Sequence, residues 1–329
     1  MDYCPKCGID NKKDEAMFYV SCGTNLENQA GVSPPAREKG FTIIEAIIAL
    51  VMVLAIAGAA WVFFINKQAT GAMFRGNLQH TGVFLSQSVP EPGVKWSFKA
   101  GSSVQSSPAV AAGVVYFGSE DGNLYAIDAQ TGQQKWSFQA GNKVDSPPAV
   151  AGGVVYFGSE DGNLYAVDAQ TGQKKWSFKT ANEVDSSPAV AASVVYFGSE
   201  DGNLYAVDAQ TGQKKWSFQT GYGVFSSPAV AGGVVYCGSW DRNLYAVDAQ
   251  TGQQKWSFQT GGYVFSSPAV AAGVVYFGSD DGNLYAVDAQ TGQQIWNFKT
   301  ARQVDSSPAV AAGVVYCGSD DGNLYALSD

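Results

Sequence analysis

Two hydrophobic patterns of different kind divide the chain. Residues 41–65 form one apolar run interrupted only by Thr42 and Glu45, whereas from Val94 onward short apolar runs alternate with turn residues. The short runs are Ser-Ser-Pro-Ala-Val, Val-Val-Tyr-Phe-Gly-Ser, Asn-Leu-Tyr-Ala-Val-Asp and Lys-Trp-Ser-Phe, all rich in β-branched and aromatic residues. Ala-Gly-Gly, Glu-Asp-Gly and Ala-Gln-Thr-Gly-Gln clusters separate them, which predicts tight turns between four short antiparallel strands, A to D. The unit recurs with a 40-residue period, marked by Trp96, Trp136, Trp176, Trp216, Trp256 and Trp296. Four strands at this period predict one propeller blade per unit. Pro108, Pro148, Pro188, Pro228, Pro268 and Pro308 fall in strand A. Because proline cannot donate to a ladder, A is expected to be the edge lining the central channel.

The fold class expected is therefore all-β, a six-bladed propeller, with a partial solenoid as the alternative. Six copies of A, B and C are present, but the chain stops at Asp329 before a sixth D strand. Residues 94–98, Val-Lys-Trp-Ser-Phe, form a D strand that precedes any A strand. Pairing this segment with the last blade would close the ring and remove its open edges.

The run at 41–65 is long enough, at about 1.5 Å per helical residue, to cross a hydrocarbon core about 30 Å thick. It predicts one transmembrane helix, a bilayer contact and a retained anchor rather than a signal peptide. Arg37 and Lys39 before it and Lys67 after it favour a cytoplasmic N-terminus. The expected placement is single-pass in the cytoplasmic (inner) membrane with the propeller extracytoplasmic. The layout is a cysteine knuckle at 1–26, a linker at 27–40, the helix at 41–65, a linker and lead-in at 66–93, and the propeller at 94–329.

Charge and composition narrow the chemistry. The net charge is -9 in 329 residues, and residues 94–329 hold 13 basic and 21 acidic side chains, so the repeated turns carry most of it. Such a balance lacks the basic footprint of a nucleic-acid binder. A single histidine, His80, excludes His-pair metal sites and leaves any Ser-His-Asp triad resting on one residue.

The element Ala-x-Asp-x-x-Thr-Gly-x-x-x-Trp occurs five times, at 126–136, 166–176, 206–216, 246–256 and 286–296. It resembles the tryptophan-docking motif of the pyrroloquinoline-quinone (PQQ)-like propeller repeats. Residues 73–82 also resemble that family's lead-in. The resemblance implies that the six tryptophans pack between blades and that the aspartates cap turns. The family includes quinoprotein dehydrogenases and the propeller subunit of the outer-membrane assembly machinery, both usually eight-bladed. This chain lacks the dehydrogenases' vicinal cysteine pair and Ca²⁺-ligand set. Cys237 and Cys317 stand where other repeats have Phe, as core substitutions. No enzyme and no propeller cofactor are expected, with a PQQ-dependent dehydrogenase as the competing class.

Gly40-Phe41-Thr-Ile-Ile-Glu45 resembles the type IV prepilin cleavage and N-methylation motif, which implies cutting after Gly40 and an assembly role for Glu45. A carboxylate within a membrane span is costly, which argues that it has a task. A filament subunit and an uncut pilin-derived anchor are both compatible with the motif. Cys4, Cys7 and Cys22 resemble three of the four ligands of a short zinc ribbon, with Tyr19 where the other cysteine belongs. Zinc completed by water or a neighbouring chain, and a metal-free knuckle, are both compatible.

The repeats differ mainly at the D–A junctions and at Trp240-Asp241-Arg242, which replaces Glu-Asp-Gly in the fourth B–C turn. Antiparallel geometry puts both loop sets on one rim. Tyr222, Phe225, Trp240, Arg242, Tyr263 and Phe265 then form a candidate site for a protein partner, being residue types favoured at binding hot spots. Drift among duplicated repeats is the alternative. The acidic turns read as a carboxylate ring or, more simply, as solvated hairpins.

Overall fold

The computed structural model describes residues 93–328, Asn77, and the antiparallel pair Phe18–Tyr19 and Thr24–Asn25. The chain divides into two compact units, Met1–Val62 and Phe63–Asp329. The expected helix 41–65, the processing motif Gly40, Phe41 and Glu45, and Cys4, Cys7 and Cys22 lie outside the described residues. Among the described residues no helix is long and apolar enough to cross a membrane.

The described part of the second unit is an all-β propeller array. Five sheets have four strands and the sixth has three, each an antiparallel meander in chain order. In the third blade the strands are Ala189–Ala191, Val194–Gly198, Asn203–Asp208 and Lys214–Gln219. Strand A is only three residues long, and Pro188 stands one residue ahead of it rather than inside it. The blades join through their A segments: Ser106 Oγ donates to the Ser146 carbonyl (3.2 Å), and Ser146 Oγ to that of Ser186 (3.0 Å).

The core lies between blades. One cluster combines Tyr156, Leu164, Ala166 and Trp176 of blade two with Val195, Phe197 and Val207 of blade three. The inner strand Val194–Gly198 and its equivalents are thus buried on both faces, which explains why Val-Val-Tyr-Phe lacks strict alternation. Tyr156 Oη and Trp176 Nε1 both donate to the Ala209 carbonyl, each at 3.1 Å, and so use both of its lone pairs. The same two-donor clamp fastens Tyr116 and Trp136 to Ala169, Tyr196 and Trp216 to Ala249, and Tyr236 and Trp256 to Ala289. Asp208 Oδ1 accepts from the Gln210 and Thr211 amides and the Thr211 hydroxyl, holding the C–D turn (3.0–3.1 Å). Gly212 in that turn has φ +70°, and a Cβ there would fall 2.7 Å from the Trp176 ring, so the turn requires glycine.

The expected ring closure is not found. Residues 94–98 form no ladder, and among the described residues the last strand of the sixth sheet, Leu324–Leu327, pairs only with Val314–Gly318 and leaves its outer edge open. Trp96 donates to the Ala129 carbonyl (3.1 Å) and Phe98 packs on Phe117 and Tyr125, as every D strand docks onto the next blade. This segment is therefore seated as the neighbour before blade one without reaching blade six. Leu324 is 77% exposed, whereas Leu124, Leu164, Leu204, Leu244 and Leu284 are fully buried. The stacking angle is set locally at each interface, and a segment count carries no information about that angle.

Candidate functional site

The D–A junctions and B–C turns do share one rim. The Glu200 amide donates to the Glu183 carbonyl (3.0 Å), and the Val224 amide to the Ser199 carbonyl (3.0 Å), so each turn is gripped by the junctions on either side. Within the turn, Asp201 Oδ1 accepts from the Asn203 amide and Oδ2 from Tyr205 Oη (2.7 Å). This second aspartate of each acidic turn is structural. Its counterpart Asp161 is pushed up by burial, but hydrogen bonds from Tyr165, Asn163 and the Gly141 amide hold it below the usual carboxylate range overall.

The six residues singled out from the junctions meet on blades four and five. Trp240 is their centre: Phe225 stacks on it at 4.0 Å, and Phe265 meets it edge-on at 4.9 Å. Tyr222 and Tyr263 stack on Trp240 from 6.0 Å each, and the Arg242 guanidinium lies 6.0 Å from the centre of the Tyr263 ring. Tyr222 and Tyr263 remain 63% and 43% exposed, large aromatic surface where the other junctions carry small, polar or charged residues. The Trp240 indole N–H is buried without an acceptor, at a typical cost of about 1–3 kcal/mol that the ring packing must offset. Arg242 has φ 73°, where the other five blades carry glycine at φ 77–89°. A non-glycine residue there is strained by roughly 1–2 kcal/mol, and such strain concentrates at working sites.

Carboxylates adjoin this cluster. Oxygen atoms of Glu183, Asp185 and Glu200 lie within 4.8 Å of one another, a donor set able to hold a cation. Burial first, then Glu183, Asp185 and Glu160, raises Glu200 to about 7. Burial first, then Glu183, Glu160 and Asp145, raises Asp185 to about 6. Burial and the adjacent Asp305 carboxyl raise Asp280 to about 7. These acids are not simple solvated hairpin residues, although the junction Asn-Glu-Val-Asp at 181–185 marked the place in the sequence. A cleft of about 400 Å³ is lined by Glu200, Tyr222, Phe225 and Trp240.

A protein-family model described as "Beta-alanine-activating enzyme, beta-propeller" matches residues 76–274. A second, described as "Outer membrane protein assembly factor BamB", matches residues 261–329. A sequence comparison with curated proteins gives no match. Among solved structures the chain is similar to BamB from Moraxella catarrhalis, at 22% identity and TM-score 0.65, over 72% of this chain and 77% of that one. It is also similar to the computationally designed Ika8 protein, at 21% and 0.63, over 68% and 70%. The quinohemoprotein alcohol dehydrogenase ADHIIG from Pseudomonas putida HK5 matches at 20% and 0.65, over 79% of this chain and 58% of that one. At such identities the likeness is one of fold. Cys237 and Cys317 are buried in separate sheets.

Proposed function

The chain belongs to the β-propeller family described for the beta-alanine-activating enzyme, and from that premise we propose that it is a non-catalytic binding or assembly scaffold that captures a protein partner on one rim. One observation carries this reading: the partly exposed aromatic and arginine cluster around Trp240, on the rim where the otherwise near-identical repeats depart from one another. Large rings half-buried against one another lose little freedom on binding, and Tyr, Trp and Arg dominate interface energetics. The likeness to an outer-membrane assembly propeller supports the same class. In this proposal residues 41–65 hold the scaffold at the membrane, with the propeller outside and the pilin-like motif at 40–45 directing its display.

Affinity capture from membrane extract, comparing the wild-type chain with a Tyr222→Ala, Phe225→Ala, Trp240→Ala variant, tests the reading. A specific partner held by the former and lost by the folded variant is the expected result. Capture unchanged by the triple substitution, or quinone-dependent dye reduction after adding PQQ and Ca²⁺, would overturn it.

A further inference from the structure

The repeats themselves show what the acidic cleft lacks. In the second D–A junction Lys143 lies between two acidic turns, its ammonium 3.5 Å from Glu160 and 3.9 Å from Glu120. Forty residues later Glu183 occupies the same backbone place: the Glu160 amide donates to the Lys143 carbonyl and the Glu200 amide to the Glu183 carbonyl, both at 3.0 Å. The built-in cation is thus replaced by a further carboxylate. Among the described residues no Lys or Arg pairs with Glu183, Asp185 or Glu200.

Glu200 of this trio lines a partly open cleft that Tyr222, Phe225 and Trp240 also line. Carboxylates and ring faces together attract an organic cation, whose charge meets the oxygens while its stem or ammonium lies on the rings. A bare metal ion would satisfy the oxygens but would leave most of the 400 Å³ and the rings uncontacted. Resting on the scaffold reading above, we propose that the cleft between blades three and four, lined by Glu200, Tyr222, Phe225 and Trp240 and flanked by the Glu183 and Asp185 carboxylates within 4.8 Å of Glu200, receives a lysine side chain of the partner protein.

Binding is coupled to protons. Glu200 and Asp185 face Glu183, Glu160 and Asp145, with Lys143 as the one nearby positive charge among their neighbours. An arriving ammonium lowers both raised carboxyls and expels their protons, so affinity grows as pH rises through the range about 6 to 7 where they titrate.

The test uses the full-length chain labelled with fluorotryptophan, with the Trp240 resonance assigned by Trp240→Phe. N-acetyl-lysine methylamide, its uncharged norleucine counterpart and CaCl₂ are titrated separately. The lysine compound is expected to shift Trp240 saturably, at least tenfold more tightly than norleucine, and at least fivefold more weakly at about pH 5 than at about pH 8. Glu200→Gln should weaken it at least fivefold. Glu183→Lys, which rebuilds the Lys143 arrangement, should abolish binding while raising the unfolding temperature, separating an occupied site from a misfolded one. Equal shifts by norleucine, a response to CaCl₂ alone, no response up to about 50 mM, or unchanged binding in Glu183→Lys would each overturn the proposal. If those results came with partner capture still dependent on Tyr222, Phe225 and Trp240, the scaffold reading would stand and only the lysine site would fall.

Discussion

Leu204 and Leu324 hold the same position in the third and sixth repeats, yet one is fully buried and the other 77% exposed. Truncating each to alanine measures whether the array is open at blade six. Leu204 packs with Tyr196, Trp216, Val230, Val235 and Val247, in a cluster shared by two blades. Leu204→Ala removes that contact and leaves a cavity, which typically costs about 2–5 kcal/mol. Near 3 kcal/mol, a domain of this size should lose roughly 6–12 °C of unfolding temperature. Leu324→Ala removes surface that already faces water and should stay within about 0.5 kcal/mol. Thermal unfolding followed by circular dichroism, with both variants in the full chain, gives the comparison. A Leu324→Ala loss as large as that of Leu204→Ala would refute the open edge and show residues 94–98 covering blade six.

Arg242→Gly should stabilise the propeller by about 0.5 kcal/mol, since relief of about 1–2 kcal/mol of left-handed strain is offset by roughly 0.4–1 kcal/mol from the freer unfolded chain. A lower unfolding temperature would contradict the strain assignment, and partner capture should weaken in the same variant. The carboxyls of Glu200, Asp280 and Asp185 titrate at about 7, 7 and 6, above their unfolded range, so the folded state holds more protons. Stability should accordingly fall as pH rises from about 5 through 7, and a flat or rising profile would count against these shifts. Trp216→Phe keeps the ring but removes one of the two donors to the Ala249 carbonyl, for an expected loss of about 1 kcal/mol in denaturant unfolding. The Cys237 thiol is fully buried and raised far above its ordinary value, first by burial, and Cys317 is raised to about 11. Neither should react with a thiol reagent until the propeller unfolds.

Much of the propeller was legible because its causes are local. Strand spans follow from β-branched and aromatic runs, and turns from glycines at positive φ and aspartates that bond their own downstream amides. Antiparallel strands of nearly constant length then require the D–A and B–C loops to share a rim, which is why Tyr222, Phe225, Trp240, Arg242, Tyr263 and Phe265 could be grouped in advance. Pro188 and its equivalents were displaced by one residue, a boundary that depends on where the ladder begins.

The repeat, the all-β class and the rim on which the repeats depart from one another follow from the chain alone, because side-chain period and turn chemistry act over a few residues. Packing between blades is what seats residues 94–98 before blade one without pairing them to Leu324–Leu327, since the angle between blades arises across each interface. The folded rim likewise brings Glu183, Asp185 and Glu200 together, with Glu200 lining the cleft shared by Tyr222, Phe225 and Trp240. In sequence they are ordinary turn acids up to 17 residues apart; partial burial and mutual repulsion, both properties of the folded rim, turn them into a place that favours a positive charge.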